Sequence, residues 1–110
     1  MKIFTGSRGS GKTTEMLKAL PKKGYGYIVV PNERFAREIV LEADELGIKI
    51  NFPLTFNEFL NKRYYGKNID WLVIDDVDAL LSYITHSGVS IYAIALNGEI
   101  IQCKHKQITE

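Results

Sequence analysis

The sequence predicts an α/β fold, a three-layer sandwich in which helices cover both faces of a mostly parallel five-stranded sheet, closed by a short antiparallel C-terminal edge strand. Three observations predict it. Short apolar runs alternate along the chain with segments of helical period, the pattern of a parallel sheet with crossover helices. The run Trp71-Leu72-Val73-Ile74 has no polar face to show water, as expected of a strand covered on both sides. A glycine-rich stretch, residues 6–11, joins the first apolar run to the first helical segment. With 110 residues and a hydrophobic share of 45%, the expectation is one domain, 1–110, around one core.

In chain order, residues 2–5 read as the first strand. The first helix opens inside the glycine-rich loop, buries Met16, Leu17 and Leu20, and stops at Pro21, whose ring cannot continue a helix. Strand 27–30 follows. The segment 33–46 places Phe35, Ala36, Ile39, Val40, Ala43 and Leu46 on one stripe, with Asn32 as N-cap and Gly47 just past the end. After a strand at 48–52, Thr55-Phe56-Asn57-Glu58 has capping-box spacing, and Phe56, Phe59 and Leu60 share a face of the helix it starts. A strand at 71–75, a helix at 77–84 and a strand at 90–96 complete the alternation. Asn97-Gly98, between the apolar 91–96 and 99–102, is a two-residue hairpin signal because both residues tolerate positive φ, which supplies the antiparallel edge strand.

Gly6-Ser7-Arg8-Gly9-Ser10-Gly11-Lys12-Thr13 fits G-x-x-x-x-G-K-[ST] at every fixed position, directly after a predicted strand and opening a predicted helix. The residue types follow from phosphate chemistry. Glycines let the backbone curl so that successive N–H groups face a common centre, where the helix N-terminus also presents partial positive charge. Lys12 is suited to neutralise the β- and γ-phosphates, the Thr13 hydroxyl to ligate magnesium, and Thr14 to hydrogen-bond the α-phosphate. Gly6, Ser7, Gly9, Ser10 and Gly11 form the cradle; Arg8 either touches phosphate, serves a neighbour, or is a solvated loop tip. The competing structural account is a tight strand-helix turn that binds nothing.

The motif and the alternation together resemble the P-loop NTPases, whose architecture would cover nearly the whole chain. The resemblance implies a nucleoside triphosphate, magnesium, and a strand-borne carboxylate to hold the metal's shell. Leu72-Val73-Ile74-Asp75-Asp76 resembles such a Walker B strand, with Asp75 on the metal side through water and Asp76 where many hydrolytic relatives carry the glutamate that orients attacking water. Aspartate is one methylene shorter, and a displacement on the order of 1 Å can cost about 100-fold in rate, so turnover is expected to be slow. Paired aspartates at this point also resemble those of replication initiators and helicase loaders. Alternatively, Asp75 and Asp76 cap the helix that follows, with Asp78 in its first turn. The order of Tyr27-Ile28-Val29-Val30-Pro31-Asn32, Ile50-Asn51-Phe52-Pro53-Leu54-Thr55-Phe56 and the acid pair resembles the first lobe of superfamily-one helicases. That resemblance implies a γ-phosphate-sensing polar residue at the end of the next strand. Asn97 fits that place and fits a hairpin turn equally.

Composition narrows the remaining classes. Fourteen Lys and Arg against thirteen Asp and Glu leave a charge of +1, so no global field points to nucleic acid or to an anionic membrane. The local stretch Lys62-Arg63-Tyr64-Tyr65 offers cations for phosphates and rings for bases, yet also reads as a helix end capped by Gly66; Lys104, His105 and Lys106 read as a tail. One cysteine, Cys103, permits no internal disulfide and suits a reducing compartment. No run approaches the roughly 20 apolar residues of a membrane helix, and no leader is visible, so the expectation is a cytoplasmic protein.

The function expected is therefore magnesium-dependent ATP binding with slow hydrolysis, using Lys12, Asp76 and Asn97, in a homo-oligomer or with a protein partner that supplies an arginine finger. Nucleic-acid processing is a setting the resemblance implies, and the small lobe also resembles NTPases of bacteria and their phages. Two alternatives stand beside it. A small-molecule kinase is suggested by Ser10-Gly11-Lys12-Thr13-Thr14-Glu15-Met16-Leu17, which resembles the phosphate loop of thymidine kinases. A non-catalytic nucleotide switch or inhibitor would keep the loop for binding alone.

Overall fold

Tyr27, Ile28, Val29 and Val30 offer no polar face to either side, and the strand they form is buried along its whole length. The computed structural model describes residues 1–7, 9–62, 68–85 and 89–104. Its elements run β1 (Lys2–Thr5), α1 (Lys12–Lys18), β2 (Gly26–Val30), α2 (Glu33–Glu45), β3 (Leu54–Thr55), α3 (Phe56–Leu60), β4 (Trp71–Ile74), α4 (Val77–Thr85) and β5 (Glu99–Gln102). The alternation read from the sequence is thus an α/β chain, and its strands pair in parallel. They form one two-stranded and one three-stranded sheet. The chain divides into two compact units, one of Met1–Leu20 with Ala93–Glu110 and the other of Pro21–Tyr92.

In the second unit the strand order is β3-β2-β4, with Val29 opposite Leu54 and Ile28 opposite Val73. Side chains of one strand alternate between faces. Tyr27 and Val29 therefore share a face, and there they join Leu54, Phe56 and Leu80 in one core cluster, flanked by Phe59, Ile74 and Ala79. The opposite face carries Ile28 and Val30, both fully buried, and α2 packs on this sheet through a buried stripe of Ala36, Ile39 and Ala43 that lies outside that cluster. Each large side chain buried this way contributes about 1.5–3 kcal/mol relative to exposure.

The helix ends follow local chemistry. Asn32 Oδ1 accepts the Phe35 N–H at 3.2 Å to start α2. At its far end Gly47, at φ 72°, donates to Asp44 O at 3.0 Å, and the Ile48 N–H donates to Ala43 O at 2.8 Å. These paired bonds satisfy last-turn carbonyls, and glycine takes the left-handed φ without a Cβ penalty. Thr55 Oγ1 accepts the Glu58 N–H while Glu58 Oε1 accepts the Thr55 N–H, at 3.2 and 2.9 Å, the reciprocal box that starts α3.

Two strand expectations are corrected here. The strand expected at 48–52 is displaced to Leu54–Thr55. Ile48 is used in closing α2, and the Asn51 side chain, not a backbone ladder, reaches β2 by donating to Gly26 O at 2.8 Å. Nor is Trp71–Ile74 covered on both sides. It ends the order of its sheet, Leu72 is exposed, and β2 takes the wholly buried place.

In the first unit, β1 pairs in parallel with β5, Lys2 opposite Glu99 through Thr5 opposite Gln102. The ladder is extended at both ends, by Glu99 N–H to Met1 O at 2.9 Å and Cys103 N–H to Thr5 O at 2.7 Å. Helix α1 buries Met16 and Leu17 and packs against β1. The antiparallel C-terminal edge strand is thereby overturned: β5 is parallel, and residues 90–96 form no strand. A two-residue connection joins only antiparallel neighbours. Gly98 instead lies against the start of β1, where an added Cβ would stand 2.3 Å from Met1 O, so the chain enters β5 beside Met1 and no hairpin forms.

Candidate functional site: the phosphate loop and the acid pair

The first unit holds the glycine-rich loop between β1 and α1. Gly9 and Gly11 take φ 78° and 84°, left-handed values that L side chains rarely adopt. Gly6 is required by space: a Cβ there would stand 2.4 Å from Ser10 Oγ and 2.6 Å from Cys103 O. The Ser10 N–H donates to Ser7 O at 3.1 Å, folding the loop into a tight turn, and the Glu15 N–H to Gly11 O bond at 3.0 Å begins the helix. Gly11 caps α1 with no side chain.

Lys12 closes this loop. Its ammonium donates to Gly6 O at 2.6 Å and to Ser7 O at 3.1 Å, so a positive charge is fixed beside the first residues of the cradle. Thr13 and Thr14, half-buried, follow in the first turn of α1. The Ser10 side chain is buried, and its hydroxyl finds no hydrogen-bond partner among the described residues. An unmade bond of a buried hydroxyl costs about 1–3 kcal/mol. A first glycine, Gly6, that admits no Cβ, a fixed ammonium and a buried hydroxyl with no partner among the described residues are of a chemistry that fits a phosphate group. Arg8 lies outside the described residues.

The acid pair belongs to the second unit. The Asp75 N–H donates to Val29 O at 2.9 Å, extending the β2–β4 ladder by one residue, and places a half-buried carboxylate at the carboxyl end of β4. Asp76 is exposed and adopts φ 65°, a left-handed value that aspartate tolerates better than most residues. Its Oδ1 accepts the Ala79 N–H at 3.1 Å and its carbonyl accepts the Leu80 N–H at 3.2 Å. Asp76 is thus the cap of α4, the alternative foreseen for it.

Asn97 is placed away from the loop. It precedes β5, whose first residue pairs with Lys2, while the loop leaves the other end of β1 after Thr5. The position beside Gly6 is occupied instead by Cys103. Sequence reading missed Cys103 because its signal is the parallel register of β5, a non-local pairing. Lys62 is exposed with φ 55° just past α3. Arg63, Tyr64, Tyr65 and Gly66, and likewise His105 and Lys106, lie outside the described residues.

Compared with known proteins, the chain matches no family model, no curated protein and no solved structure.

Proposed function

We propose that this chain is a magnesium-dependent ATP-binding protein with slow hydrolysis, built on a P-loop NTPase-like core whose strands would form one five-stranded sheet. The observation that carries the reading is the Lys12 ammonium held by the Gly6 and Ser7 carbonyls in a loop whose first glycine, Gly6, leaves no room for a side chain. Gly6 to Thr14 are the residues assigned to the phosphates, with Thr13 and Asp75 assigned to magnesium. Bound magnesium would neutralise charge on the β- and γ-phosphates. Lys12 orients the terminal phosphate, and a homo-oligomer or protein partner supplies the arginine finger, which is worth about 10³- to 10⁵-fold in such reactions.

The test is titration of the protein with ATP in the presence of magnesium. Micromolar or tighter binding that Lys12→Ala weakens at least about 100-fold, with the circular dichroism spectrum unchanged, is the expected outcome. Lack of binding by the unaltered protein, or indifference to Lys12→Ala, would sink the reading.

One observation favours a second reading, binding without turnover. Asp76, the residue assigned to orient water, already commits Oδ1 to the Ala79 N–H. A nucleotide switch of this kind binds ATP tightly and releases no phosphate even with a partner and single-stranded DNA present.

A further inference from the structure

In the three-stranded sheet, β2 and β4 start together, Gly26 opposite Trp71, and two loops are pinned at that amino end. The turn at 22–25 enters β2. Asp70 Oδ2 accepts the Tyr25 N–H at 2.7 Å, the Asp70 N–H donates to Tyr25 O at 2.7 Å, and Gly24 turns at φ 92° against that carboxylate. The segment 48–52 comes from α2, and Asn51 Nδ2 ties it to the first residue of β2 by donating to Gly26 O at 2.8 Å. These fixed loops display cations and rings. Lys22, Lys23 and Lys49 are exposed, and among the described residues none of them joins a salt bridge. Phe52 keeps 58% of its surface in water. The exposed Tyr25 ring is oriented by Tyr27, with the two hydroxyls 2.9 Å apart and the ring centroids 5.5 Å apart, edge to face. Singly, an exposed phenylalanine or lysine calls for no account; here two rings and three ammoniums are carried by two loops pinned at one strand end.

We propose that this edge binds single-stranded nucleic acid, with Lys22, Lys23 and Lys49 contacting backbone phosphates while Phe52 and Tyr25 stack on bases. Cations along a phosphate backbone, combined with rings under the bases, hold a strand without sequence preference because every base has a π-face. An acidic protein segment would satisfy the ammoniums and leave the rings without planar partners, so the pairing of the two favours nucleic acid. The attraction is local. The whole chain carries only +1, and Asp44 and Glu45 are exposed in the last turn of α2, so the rings must supply part of the affinity. The acid pair follows the carboxyl end of β4, whereas this edge lies at its amino end, and no residue of the phosphate loop takes part. The proposal therefore stands apart from the ATP reading.

The experiment is fluorescence anisotropy of dye-labelled oligothymidylate and oligouridylate, about 20 nucleotides long, titrated with the full chain in about 50 mM salt without ATP, with circular dichroism as the check on folding. Micromolar binding is expected, with log affinity falling against log salt at a slope of about −2, as for three phosphate contacts on a single strand. Phe52→Ala should weaken binding about tenfold and leave that slope in place. The triple variant Lys22→Ala, Lys23→Ala, Lys49→Ala should weaken it at least about tenfold and bring the slope near zero. Arg34→Ala with Arg37→Ala removes two cations paired on α2 and should change affinity less than about twofold. Binding of either strand chemistry supports the proposal, and a preference between them tells RNA from DNA. Absence of binding at about 100 μM protein overturns it. So does an arginine variant as weak as the lysine variant, since general charge is then the cause. Equal affinity for a duplex of the same length overturns the stacking role, and displacement by polyglutamate as readily as by unlabelled strand assigns the edge to an acidic protein instead.

Discussion

Ile28 and Ile100 are the same side chain on two strands of one chain, and they stand in opposite conditions: 1% exposed on β2 and 70% exposed on β5. On β2 every residue is buried, between a core cluster on one face and the α2 stripe on the other. On β5 only Ile101 is half-buried, and the strand is held by its ladder to β1 with one bond added at each end. A two-stranded pair alone is marginal in water, so α1 packing on β1 is needed to sustain it. The difference separates two ways of fixing a strand. The three-stranded sheet is fixed by what its side chains bury, the two-stranded one by backbone bonds and by glycines that admit close approach. The glycine-rich loop belongs to the second kind.

Three substitutions sharpen that comparison, in falling order of effect. Ile28→Ala is expected to destabilise by about 2–5 kcal/mol, the range for truncating a fully buried isoleucine, read from chemical denaturation followed by circular dichroism. A cost under about 1 kcal/mol would show that β2 is not closely packed. Gly6→Ala comes next: its methyl would collide with Ser10 Oγ and Cys103 O, so the loop must shift. We expect about 1–3 kcal/mol of destabilisation and about 100-fold weaker ATP binding, by the same denaturation and by titration. Retained affinity would mean that the loop's first turn does not shape the phosphate site. Ile100→Ala closes the series at within about 0.5 kcal/mol, as for a surface position; a loss comparable to Ile28→Ala would show that β5 is covered in solution.

The parts legible in the sequence were those decided by neighbours in the chain. Asn32 and Gly47 bound α2, Thr55 and Glu58 form their box, and α4 begins after Asp76, because caps are chemistry between residues three or four apart. The loop's glycine spacing likewise predicted its curl. Strand partners were less legible. The apolar runs 48–52 and 90–96 carry strand composition, but composition does not name a partner, and in the structure neither pairs as a strand. The parallel placement of β5 depends on Gly98 meeting Met1 nearly a hundred residues away, which no local window contains. For the same reason Asn97 was assigned to the loop, while the register puts it at the far end of β1 and brings Cys103 beside Gly6. Asp76 stood midway. Its capping role was foreseen, but its left-handed backbone was not, since it is set by the turn that carries the chain from β4 into α4.

Trp71 opens β4 opposite Gly26, and its ring crosses that glycine so closely that an added Cβ would stand 2.1 Å from Cδ2. Its indole N–H is buried and makes no hydrogen bond among the described residues. It is also the one tryptophan in the chain. Tryptophan fluorescence, excited apart from that of the tyrosines, therefore reports on the three-stranded sheet, an optical reporter seated on the Gly26 backbone. Emission that shifts when a ligand is added would register a change reaching β2 and β4.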